Sequence, residues 1–142
     1  MAHPIHPALV HFPIACWSIS TIADIAGLQL GGQLWWIAGV LLVLGTLTAI
    51  AAMLAGLVEL GKIDEQSPAT QVANHHMTLM TVAWVLYAIS LFMRMEGTGL
   101  TQPGWVEICL SGIGFLFLCV GGWLGGLLVY GHGVGIEKLS RK

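Results

Sequence analysis

Histidines stand at positions 3, 6, 11, 75, 76 and 132, and three of them fall within His3-Pro4-Ile5-His6-Pro7-Ala8-Leu9-Val10-His11-Phe12-Pro13. Imidazole is the side chain best suited to zinc, copper or iron and to the axial positions of a haem. Other chemistry is poorly represented. There is no Ser-His-Asp or Cys-His signature, no phosphate-cradling loop and no H-E-x-x-H. Cys16, Cys109 and Cys119 show no C-x-x-C spacing, which argues against a zinc ribbon, a disulfide frame or c-type haem attachment. Each reads as a small buried hydrophobe.

The elements that must carry these histidines are membrane helices. Of 142 residues, 56% are hydrophobic and only 8% charged, with a mean hydropathy of +0.84, whereas a soluble domain carries about 25% charged residues. Uncharged runs at 1–23, 25–58, 66–93 and 108–136 each reach or exceed the roughly 20 residues that cross a bilayer. The sequence therefore predicts an all-α protein, an integral membrane four-helix up-down bundle. It forms a single domain with spans over 9–29, 34–58, 72–94 and 105–130. A net charge of −2 leaves no basic stripe for nucleic acid. No Lys or Arg precedes the first apolar run and no small-residue cleavage site is clear, so that run is expected to remain as the first helix.

Within the spans several residues stand out. Pro13 either begins the first membrane helix or kinks one that began earlier, and either way His11 is expected at its mouth. Asp24 falls well inside the span or at its far interface, and at depth it must be paired, protonated or turned inward. Gly45, Ala49, Ala52 and Gly56 make a small-residue face on the second helix, suited first to close helix packing and second to a flat macrocycle. Ser67 and Pro68 are placed to cap and begin the third helix. There His76 shares a face with Met80, Ala83, Tyr87, Ser90 and Arg94, so His76 rather than His75 is expected to look inward. Gly121-Gly122-Trp123-Leu124-Gly125-Gly126 holds G-x-x-x-G twice, a docking face for a neighbouring helix or a second subunit. His132 then lies on a glycine-rich turn.

Four spans bring every histidine to one face, together with Lys62, Lys138, Arg141 and Lys142. The positive-inside bias makes that face cytoplasmic in a bacterial inner membrane, with both termini there. Helices one and three are diagonal, so His11 and His76 are expected to oppose one another across the core, with His6 and His132 in a second layer nearer water. That arrangement suits bis-histidine haem b, with Lys62 or Arg141 meeting its propionates. The same four imidazoles, His6, His11, His76 and His132, could instead hold a zinc, copper or iron ion directly. A third reading leaves the histidines as interfacial polar residues of a structural subunit.

His6-Pro7, Val10-His11-Phe12-Pro13-Ile14-Ala15, Ala55-Gly56 ahead of an acid, and a histidine 18 residues before an arginine form a pattern along the chain. With Gly122-Trp123-Leu124-Gly125-Gly126, Val129-Tyr130 and His132-Gly133-Val134-Gly135, the pattern resembles a bacterial family of small four-helix membrane proteins known as a domain of unknown function. The resemblance covers nearly the whole chain and implies that His6, His11, His76 and His132 correspond to the family's histidines. Some members carry a Rieske-type iron–sulfur domain, which implies redox work near the histidine face and an iron–sulfur protein or membrane redox complex as partner. Glu59 stands where the family usually has Asp, and Met80 where a polar residue is common. The expected function is electron transfer by a haem b protein, not transformation of a substrate.

Overall fold

The computed structural model describes residues 5–136 and shows an all-α four-helix bundle. Helix α1 spans Ile5–Leu30, α2 Leu34–Leu60, α3 Pro68–Met93 and α4 Trp105–Gly126. A π-helical turn, Leu127–Gly131, continues α4. All four helices are long and apolar enough to cross a membrane. Large apolar side chains such as Leu54, Phe92, Leu116 and Trp123 are exposed on their outer surfaces, where lipid is the favourable neighbour.

Local signals explain the boundaries. Gly31 and Gly32 take positive φ in the turn between α1 and α2, a conformation that side chains with a β-carbon rarely adopt. Ser67 accepts a hydrogen bond from the Ala69 backbone N–H, and Pro68 occupies the first turn of α3. Between α3 and α4 a two-stranded antiparallel ribbon, β1 Met95–Glu96 and β2 Gly99–Leu100, replaces a plain turn. It folds the Leu100 side chain onto Gly39, where a β-carbon would sit 2.9 Å from Leu100 Cδ1. Pro13 lies inside α1 and is buried.

The helices pair as two hairpins, α1 with α2 and α3 with α4, and α1 and α3 are diagonal. The hairpins repeat one another. A position on α1 corresponds to the one 70 residues later on α3, and a position on α2 to the one 69 residues later on α4. Ser20 donates to the Ala38 carbonyl and its equivalent Ser90 to that of Glu107, both at 2.8 Å. A β-carbon on Gly45 would meet Trp17, and one on its equivalent Gly114 would meet Tyr87. The inward stripe 6, 10, 13, 17, 20, 24 of α1 has the same order of burial as 76, 80, 83, 87, 90, 94 of α3. Parallel repeats of this kind are related by an axis along the membrane normal.

Equivalent residues meet across that axis. Trp17 and Tyr87, both fully buried, stack with ring centroids 4.7 Å apart and planes 11° apart. They centre an apolar core with Leu42, Ala49 and Leu118. One turn-pair farther along, Arg94 holds Asp24 bidentately at 2.8 and 2.7 Å, with both side chains at most 1% exposed. Arg94 also donates to Ser90 and Ser111, so most of its fork is satisfied. The acid flagged in the sequence is thus buried and paired. A second apolar cluster, Ala69, Ala73 and Leu128 with Leu60, Ile63 and Val134, packs at the other end, where the chain after α4 folds back.

Candidate histidine site

The third pair on the axis is His6 with His76. Their ring centroids are 6.3 Å apart and the ring planes stand at 85°. His6 lies in the first turns of α1 and His76 in the third turn of α3, each half-buried. Each is tied to its own hairpin in the same way. His6 Nδ1 is 2.7 Å from the Ala52 carbonyl oxygen of α2, and His76 Nδ1 is 2.7 Å from the Gly121 carbonyl oxygen of α4. Ala52 and Gly121 are equivalent in the repeat.

A carbonyl oxygen can only accept, so each Nδ1 carries the proton and donates. In a neutral imidazole that leaves Nε2 with its lone pair. Among the described residues neither Nε2 has a hydrogen-bond partner. The two rings therefore present two acceptors, which cannot bond to each other. Gly56 and its equivalent Gly125 lie one turn beyond the accepting carbonyls, directly against the two rings. The His6 backbone N–H donates to Glu59 Oε1 at 3.2 Å, which satisfies a donor at the start of α1.

The pairing differs from the one expected for α1. His11 is exposed and does not oppose His76, because five residues along a helix turn the side chain by about 140°. With α1 starting at Ile5, His6 continues the inward stripe and His11 faces out. His75 is exposed as well, and His132 is exposed beyond the π-helical turn. The structure therefore brings together His6 and His76 but neither His11 nor His132. Among the described residues no three His, Cys, Asp or Glu side chains lie together where they could hold a metal ion. Lys62 is exposed at the end of α2, while Arg141, together with His3, Lys138 and Lys142, lies outside the described residues.

Two further expectations change. The double G-x-x-x-G of α4 divides into two faces, of which one meets the neighbouring α3. Gly121 and Gly125 turn inward, toward Met80 and His76, while Gly122 and Gly126 have nothing within 4 Å. Of the cysteines only Cys16 is buried, and Cys109 and Cys119 are exposed on a span. The small face of α2 does pack closely, but onto side chains: Gly45 receives Trp17 and Gly56 receives His6.

Residues 2–138 match the family model described as predicted membrane protein DUF2231. The chain belongs to that family. No curated protein and no solved structure matches it. In this member of DUF2231 the paired imidazoles are the one place among the described residues where two histidine rings meet.

Proposed function

We propose that this protein is a membrane-embedded electron carrier, or the electron-carrying subunit of a redox complex, that holds one haem b between His6 and His76. The observation that carries the reading is a pair of equivalent imidazoles, both locked as Nδ1 donors, across an internal axis. Two acceptor nitrogens without a hydrogen-bond partner among the described residues, on rings from the two hairpins with centroids 6.3 Å apart, suit a Lewis acid. A bare zinc or copper ion needs three or four protein ligands, and among the described residues no three are gathered. A porphyrin brings four nitrogens of its own and asks the protein for two.

The residues present fit that group. His6 and His76 would hold its iron through Nε2. The Ala52 and Gly121 carbonyls, by accepting from Nδ1, raise the basicity of the ligating nitrogens. Gly56 and Gly125 let the rings lie close against α2 and α4, and Met80, packed against Gly121, lines the apolar side. When bound, such a haem takes up and releases one electron without any bond to a substrate. The site lies near the end of the bundle that carries Lys62, with Lys138, Arg141 and Lys142 following in the sequence. We assign that end to the cytoplasmic side of a bacterial inner membrane, within reach of an iron–sulfur or other redox partner.

The test is the absorption spectrum of the purified protein in its ferric and ferrous states. The expected result is a six-coordinate b-type spectrum that His6→Ala and His76→Ala each abolish or convert and that His11→Ala leaves intact. A colourless preparation after expression with ample haem would overturn the reading.

A further inference from the structure

The two rings owe their orientation to backbone features that recur at equivalent places in the two hairpins. Each accepting carbonyl, Ala52 on α2 and Gly121 on α4, is followed one helical turn later by a glycine. A β-carbon on Gly56 would lie 3.1 Å from both Cε1 and Nδ1 of His6, and one on Gly125 would lie 3.2 Å from Cε1 and 3.4 Å from Nδ1 of His76. Both contacts fall on the ring edge that makes the hydrogen bond. Neither glycine has positive φ, so the backbone does not require glycine there. What matters is the missing side chain.

We propose that Gly56 and Gly125 are the positioning residues of the site: each lets an imidazole settle against its helix so that Nδ1–H reaches the carbonyl one turn earlier and Nε2 is left for the ligand. The pair His6 and Gly56 on one hairpin and the pair His76 and Gly125 on the other are two copies of a single device. The purpose of the device rests on the haem reading, but its operation does not. A ring held through Nδ1 by the other helix of its hairpin has a fixed tautomer whether or not iron is present. A larger residue at 125 pushes the His76 ring off the Gly121 carbonyl, and Nδ1 loses the partner that fixed its proton. The same change at 56 acts on His6 alone.

The experiment uses full-length protein labelled with nitrogen-15 at histidine, kept reduced and read by long-range nitrogen–proton correlation, with the absorption spectrum recorded on the same samples. Wild type is expected to show both His6 and His76 as Nδ1–H tautomers. Gly125→Val is expected to remove that signature from His76 and leave it on His6, and Gly56→Val to do the reverse. Gly125→Ala and Gly56→Ala, which ask the ring to move by only tenths of an ångström, are expected to shift the same signals without removing them. They keep the test alive if the valine variants do not fold. Gly122→Val, on the same helix but with open space around it, is expected to change neither histidine. Unchanged tautomers in the valine and alanine variants alike would overturn the positioning role, as would an equal disturbance from Gly122→Val. Wild-type protein with both tautomers and no haem would sink the haem reading alone, because the tautomers would still follow the glycines.

Discussion

The two ends of the internal axis solve the same problem in opposite ways. At one end the repeat places two identical side chains, His6 and His76, against each other. At the other, 18 residues and about 27 Å of helix away, it places Asp24 against Arg94. Opposite charges complete one another, and a bidentate pair surrounded by Ser90 and Ser111 leaves little for an outside group to do. Identical imidazoles that both spend their proton on a carbonyl have nothing to exchange. One end is closed by its own chemistry and the other is left asking for a third party. An ion pair of this kind stabilises little beyond what apolar residues would, yet it is costly to break. Its place in the bundle is that of a register lock.

That contrast can be broken most sharply at the ion pair. Arg94→Met leaves a buried carboxylate alone and is expected to cost about 3–5 kcal/mol, read as a lowered unfolding midpoint in detergent. Asp24→Leu combined with Arg94→Met is expected to recover most of that loss. The reversed pair, Asp24→Arg with Arg94→Asp, is expected to be more stable than either single change, since the two positions are equivalent in the repeat. A smaller effect is expected between the two ends: Gly45→Ala, whose β-carbon would lie 2.7 Å from Trp17 Cδ1, should cost about 1–3 kcal/mol. Gly114→Ala, with 3.2 Å to Tyr87, should cost less in the same assay. At the histidine end His6→Ala with His76→Ala is expected to cost only about 1 kcal/mol per lost hydrogen bond, with helical circular dichroism unchanged, while abolishing any haem absorption. The least effect is reserved for His11→Ala, within about 0.5 kcal/mol and with no spectral change. A large spectral change there with none in His6→Ala would return His11 to the site.

Much of this was legible in the sequence. The spacing of uncharged runs is enough for four spans, because a bilayer imposes its thickness on any helix that crosses it. On α3 the stripe from His76 through Tyr87 and Ser90 to Arg94 was also readable. The same 4, 3, 4, 3, 4 spacing laid on α1 runs from His6 through Trp17 and Ser20 to Asp24, and it passes over His11. What hid it was Pro13, which suggests a later helix start than Ile5. The repeat left a trace as well: Trp36, Gly45 and Gly56 recur as Trp105, Gly114 and Gly125 at identical spacing. Few other positions match, because lipid-facing residues are interchangeable among apolar types and carry no memory of a repeat. The pairing of Asp24 with Arg94 was out of reach by periodicity alone, since only the superposition of the two hairpins makes them neighbours.

The separation of 70 residues between Asp24 and Arg94 also sets a timetable. At about 5–20 residues per second of synthesis, several seconds pass between the ribosome's making the acid and making its counter-ion. During that interval the first hairpin waits with a carboxyl group that lipid does not tolerate as an anion. It can mature only once the second hairpin arrives beside it. A nascent chain that stops short of Arg94 is thus left with that carboxyl group without its counter-ion.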